Sequence, residues 1–197
     1  MCSFLITSRK IINLKKLNAK LKLRGPDDTN YIIKNNISFL HNLLHINGKK
    51  TLQPFIKDNI IAVFNGEIYN YKNFNNNYDS DGFCIIDTYK KYGDLFSQKL
   101  YGEFAIVLFD FNDNKIIISS DIFATKPCYL SLENKDFGIC SYKYFLEELN
   151  FSQIHKIEPN TIYKIDMNNF KIDICGNNYS FDLKQFKSDF VDFEHAL

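Results

Sequence analysis

Arginine is almost missing from this 197-residue chain: Arg9 and Arg24 stand alone against 22 lysines. Arginine is the side chain best shaped to grip a carboxylate or a phosphate with two parallel bonds. A site that needs such a grip therefore has little to draw on. Charge of either sign is not in excess either. The formal net charge of +1 leaves no electrostatic case for nucleic acid or for an anionic membrane surface. Long apolar runs are absent. No stretch approaches the ~20 residues that cross a bilayer, and the amino end carries no long apolar leader. The five cysteines, Cys2, Cys84, Cys128, Cys140 and Cys175, contain no C-x-x-C pair and no cluster with zinc spacing. An odd count without a leader points to reduced thiols and a cytoplasmic protein. Nothing calls for a metal or another cofactor.

What remains is an ordinary globular composition, 45% hydrophobic and 24% charged. The length favours one domain over residues 1–197, with the last ~20 residues read as a tail, since the pattern weakens from Tyr179. Ser3 to Thr7 reads as a short buried strand with Cys2 at its entry. Ser8 is a candidate cap for the helix that follows, in which Leu14, Leu17 and Leu21 recur at helical spacing between solvated lysines. Arg24-Gly25-Pro26-Asp27 breaks that helix. Tyr31 to Ile33 and Ile37 to Leu40 pair around Asn35-Asn36, and Asn47-Gly48 reads as a turn. A helix starts at Ser80-Asp81 with Ile85, Ile86 and Tyr89 inward, and Gly93 stops it. Glu103 to Phe111 and Lys115 to Ser120 form a hairpin around Asn112-Asp113-Asn114. Phe137 to Cys140, Thr161 to Ile165 and Phe170 to Cys175 are further strands. Many short strands with two or three helices make an α+β domain.

One stretch organises the rest. The apolar run Ile60 to Phe64 reads as a buried strand and empties into Asn65-Gly66, a pair suited to a tight turn. The same pair can do chemistry, because a side-chain amide beside a backbone N–H aims two donors at one oxygen. Phe64 to Tyr71, Phe-Asn-Gly-Glu-Ile-Tyr-Asn-Tyr, resembles the signature of the glutamine amidotransferase domain of asparagine synthetases, a class with an N-terminal cysteine nucleophile. Cys2 supplies that cysteine once Met1 is removed. Further pieces follow in the same order: Arg24-Gly25-Pro26-Asp27, Gln53-Pro54-Phe55, Gly102-Glu103-Phe104-Ala105, and Asp121, Phe123, Lys126, Pro127 and Tyr129.

The resemblance implies an Ntn-hydrolase-like, four-layer sandwich of two antiparallel sheets between helical layers. It implies acyl transfer, with Cys2 as nucleophile and its α-amine as base. Asn65 and Gly66 would form the oxyanion hole. Arg24, Glu67, Asp81 and Gly82 would serve the substrate, glutamine or a related amide. Read from the residues alone, Asn65-Gly66 is a hairpin turn, Asp81 is equally a helix cap, and a turn role for Arg24 is the weaker reading because arginine is otherwise avoided. The resemblance also has gaps. Its carboxylate-binding arginine falls on Leu43, Arg-Asp-x-x-Gly becomes Ser120-Asp121-Ile122-Phe123-Ala124, and Phe83 stands where an acid is usual. No Ser-Gly-Gly-x-Asp-Ser pyrophosphate loop is present, so the ammonia acceptor would be a separate ATP-dependent synthetase subunit. Two rivals stay open: an inactive module of this fold that docks a synthetase, and an amide hydrolase of this fold with another substrate.

Overall fold

The computed structural model describes residues 1–46 and 48–181. Its elements in chain order are β1 (Ser3–Thr7), α1 (Leu14–Leu21), β2 (Asp28–Lys34), β3 (Ile37–Leu43), β4 (Phe55–Lys57), β5 (Ile60–Ile68), α2 (Cys84–Tyr92), β6 (Gly102–Asp110), β7 (Lys115–Ser120), β8 (Tyr129–Glu133), β9 (Asp136–Cys140), α3 (Lys143–Glu148), β10 (Ile154–Lys156), β11 (Thr161–Asp166) and β12 (Ile172–Asn177). The strands form two six-stranded sheets, ordered β10-β8-β9-β1-β3-β2 and β12-β11-β7-β6-β5-β4. The pairs within them are antiparallel.

Side-chain alternation along the strands builds the layers. From the first sheet Phe4, Ile6, Ile37, Phe39 and Ile139 point inward. They meet Ile61, Val63, Ala105, Val107, Phe109, Ile116 and Ile118 of the second sheet in one buried core. The intervening residues face outward and are covered in turn. Leu5, Leu40 and Cys140 pack under Leu17 and Leu21 of α1 and Phe145 and Leu146 of α3. Ala62, Phe64, Phe104, Ile106 and Leu108 pack under Ile85, Ile86 and Tyr89 of α2. The order helix, sheet, sheet, helix is the expected four-layer sandwich. Covering both faces explains why β5 and β6 read as continuous apolar runs.

Three local expectations change. Asn65-Gly66 is no turn, because β5 continues to Ile68 and stays paired with β6 from Ile60–Asp110 to Ile68–Gly102. Ser8 caps no helix. Its hydroxyl bonds Asp136 Oδ1 at 2.8 Å, and Asn13 caps α1 by accepting the Lys16 N–H at 2.9 Å. Asp81 is not a side-chain cap of the helix behind it, since its carboxylate is engaged by the end of β5 instead. The strands β4, β8 and β10 and the helix α3 are additions to the expected set. The Asn35-Asn36 turn is present, with φ of 50° and 61° at the two residues. Gly93 ends α2 with a φ of 67°. The expected tail falls mainly on 182–197, and Asn47 of the expected Asn47-Gly48 turn is also outside the described residues.

Candidate active site

The inter-sheet layer turns polar at one end. Continuing the inward alternation of β1 toward the amino end gives Cys2; of β3 toward its carboxyl end, His41 and Leu43; of β5, Asn65 and Glu67; and of β6 toward its start, Glu103. Cys2, Leu43, Asn65, Glu67 and Glu103, with Gly66, Asp81 and Lys126, line a cleft of about 540 Å3. Strand alternation alone thus converts an apolar core into a polar end.

Cys2 Sγ sits on the Leu44 backbone, accepting the Leu44 N–H at 3.4 Å and lying 3.7 Å from its carbonyl oxygen. Burial pushes its thiol above the usual range, and the Leu44 contact offsets part of that. Among the described residues it is the cysteine that lines the cleft. Cys84, Cys128 and Cys140 are buried in the packing layers. Burial raises all three thiols, that of Cys140 to about 12.

Asn65 is 1% exposed, and neither its Oδ1 nor its Nδ2 has a hydrogen-bond partner in the protein. An unpaired buried amide costs roughly 1–3 kcal/mol, and in a cleft wall its two polar atoms are left for water or a ligand group. The strand around it is held firmly: Gln53 Oε1 accepts the Phe64 N–H at 2.7 Å. Gly66 has a φ of 151°, and a Cβ there would lie 2.0 Å from the Glu103 carbonyl oxygen. Only glycine lets β5 and β6 approach so closely beside Asn65.

Asp81 is tied to the same strand. Its Oδ2 accepts the Ile68 N–H at 2.8 Å and its Oδ1 the Gly82 N–H at 2.9 Å. Burial raises its pKa, and these bonds lower it in part. Glu67 faces Glu103 across the β5–β6 ladder, a like-charge pair that is unfavourable by itself. Lys126 relieves it, with Nζ 2.7 Å from Glu103 Oε2. Lys126 is delivered by a loop wound on Asp121, whose carboxylate accepts the backbone N–H groups of Phe104, Phe123 and Thr125.

Arg24 and Gly82 stand behind the wall rather than in it. Arg24 Nη1 reaches the Tyr142 hydroxyl at 3.3 Å and Nη2 the Met1 sulfur at 3.0 Å, so it packs on the amino end. The adjoining Gly25 lies against β3, where a Cβ would be 2.2 Å from the Asn42 carbonyl oxygen. Gly82 leaves room for the rings of Phe55 and Phe64. Sequence reasoning did not single out Glu103 and Lys126 as site residues. A charge on the inward parity of an apolar strand was the available signal for Glu103. Lys126 gave none, because its position depends on the Asp121 loop. Among the described residues no group of three metal-ligating side chains occurs, and no helix is long and apolar enough to cross a membrane.

A profile of the glutamine amidotransferase domain matches residues 1–173. The chain belongs to the glutamine amidotransferase domain family. This amidotransferase domain is 33% identical over 129 residues to glutamine-hydrolyzing asparagine synthetase 2 of Bacillus subtilis, covering 59% of this chain and 17% of that protein. A putative glutamine-hydrolyzing asparagine synthetase 1 of Methanocaldococcus jannaschii is 31% identical over 163 residues, covering 70% of this chain and 29% of that one. The chain thus spans less than a third of the length of these two relatives. In fold it is similar to glutamine phosphoribosylpyrophosphate amidotransferase from B. subtilis, with a TM-score of 0.60 at 14% identity over 91% of this chain and 43% of that one. The sandwich is the Ntn-hydrolase-like fold of class II glutamine amidotransferases.

Proposed function

We propose that this domain hydrolyses the side-chain amide of glutamine through a thioester on Cys2 and releases ammonia to a separate, ATP-dependent partner of the asparagine synthetase type in the cytoplasm. The observation that carries the reading is the buried, unpaired amide of Asn65 in the same cleft wall as Cys2. With Met1 removed, the α-amine of Cys2 takes the thiol proton; an α-amine pKa of ~7.7–8.0 leaves part of it neutral for that task. The thiolate attacks the amide carbon, a C–S bond forms, and the carbonyl electron pair moves onto oxygen. Asn65 Nδ2 and the Gly66 N–H hold that oxyanion. As it collapses, the α-ammonium gives its proton to the amide nitrogen, the C–N bond breaks and ammonia leaves. Water then adds to the thioester carbon, its proton going to the same amine. The second collapse releases glutamate and returns the proton to sulfur. Glu67 and Asp81 hold the ammonium end of the substrate, Arg24 braces the amino end, and Gly82 seats Phe55 and Phe64 behind Asn65.

The test is glutamate release from glutamine by protein trimmed of Met1, alone and with the synthetase partner. A glutamine-like diazoketone should label Cys2 once, and Cys2→Ala should abolish both labelling and turnover. Labelling at Cys84 or Cys140 instead would sink the assignment.

A further inference from the structure

The charges of the cleft do not balance for an amino acid. Glu67, Asp79, Asp81 and Glu103 line it against Lys49, Lys126 and the α-ammonium of the first residue. Both lysines are engaged: Lys126 Nζ lies 2.7 Å from Glu103 Oε2, and Lys49 Nζ lies 3.4 Å from Asp79 Oδ2. His45 also lines the cleft, but its Nε2 lies 3.0 Å from the Gly48 carbonyl oxygen. Arg24 is behind the wall and already bonded to Tyr142. Among the described residues, Glu67 and Asp81 face the cleft with no cation paired to them. The rest of the wall is uncharged, apolar at Leu43, Leu44, Phe55 and Phe64 and polar at Gln53 and Ser80. Leu43 is 8% exposed, so it fills its place rather than leaving room for a mobile cation.

A ligand ammonium in this cleft meets two carboxylates. A ligand carboxylate finds no unengaged lysine or arginine, has only neutral groups and the α-ammonium beside Cys2 to replace its water, and feels the repulsion of Glu67 and Asp81. The space also exceeds a single amino acid, since 540 Å3 falls within the ~300–1,000 Å3 of sites that take drug-sized ligands. We infer that the preferred substrate is a glutaminyl compound with a free α-ammonium whose α-carboxyl is tied up as an amide, as at the amino end of a peptide. This rests on the Cys2 thioester reading and specifies its substrate. The apolar wall of Leu43 and Phe55 then receives the neutral group beyond the α-carbon.

Binding separates this inference from the catalytic reading. Cys2→Ala protein trimmed of Met1 is titrated by calorimetry at pH 6.5, where an α-amine is charged. The ligands are L-glutamine, L-glutaminamide and 4-carbamoylbutanoate, which keeps the carboxylate and lacks the ammonium. Glutaminamide should bind at least tenfold more tightly than glutamine, and carbamoylbutanoate most weakly of the three. Glu67→Gln should weaken glutaminamide at least tenfold, and Leu43→Arg should bring glutamine level with it or ahead. The ligand order in the protein with Leu43 intact decides the matter even if the arginine variant does not fold. Glutamine binding as tightly as glutaminamide, or no binding by either, overturns the inference. The expected order without ammonia release once Cys2 is restored upholds the ligand class and sinks the thioester.

Discussion

Asn65 carries two opposed demands. As a residue of the inter-sheet layer it should be apolar, like Val63 and Ile61 before it on the same face. It is instead an amide with both polar atoms buried and unpaired. Such a group costs stability while the site is empty and is useful only when an oxygen arrives. Asn65→Ala is therefore expected to lower kcat by a factor of ~10²–10³, the usual loss for one oxyanion-hole donor. The melting temperature should stay level or rise, because the unpaired amide goes with it. Parallel rate and thermal-unfolding measurements check this, and a melting temperature that drops along with the rate would make Asn65 a structural residue. Glu103 illustrates the converse. Its carboxylate is held below the usual range chiefly by its hydrogen bond to Lys126, so it stays charged and keeps that lysine from a ligand.

At the scale of elements, β5 does most of the positioning, and it was legible only in part. Ile60 to Phe64 announced a buried strand because helices and a second sheet cover both its faces, which makes the run apolar throughout. Its continuation to Ile68 was hidden. Asn65, Gly66 and Glu67 are poor strand formers, and the pairing with β6 that keeps them extended is a tertiary fact. Cys2, Asn65 and Asp81 could be named in advance because they fall within or beside recognisable strings. Their convergence with Glu103 and Lys126 could not, since it depends on the β5–β6 register and on the loop around Asp121. The strands β4 and β10, three residues each, carry too little pattern to be seen without their neighbours. Gly66→Ala tests how tightly the register is set. A Cβ 2.0 Å from a backbone oxygen at a φ of 151° must push the strands apart. Beyond the ~1–3 kcal/mol typical of a strained backbone residue, it should displace Asn65. The expected result is a lower urea midpoint together with loss of diazoketone labelling. A variant with native stability and native labelling would show that the strand end is slack.

For the whole molecule, the apolar part of the layer between the sheets must stay uncharged, and His41 makes that a condition on pH. It lies on β3 between Phe39 and Leu43, on the inward face, and is 1% exposed. Neither ring nitrogen has a hydrogen bond of good geometry. Burial lowers its pKa from 6.5 to about 4, and only the Phe64 carbonyl works in the opposite direction. In the unfolded chain the same ring takes a proton near pH ~6.5. Between those values the unfolded state binds more protons than the folded one, so stability rises with pH across the window and falls on acidification. The displacement corresponds to about 3 kcal/mol, lost progressively from pH ~7 down to ~4. Asp81 acts with the opposite sign, because burial raises its pKa and its ionisation weighs against the fold as pH increases. The decisive quantity is therefore a difference between two proteins. His41→Leu should flatten the slope between pH 7 and 4.5, leaving the Asp81 contribution in place, and urea unfolding at several pH values measures it. Wild type and variant falling in parallel would mean that water reaches His41 in the folded state and that the layer tolerates its charge.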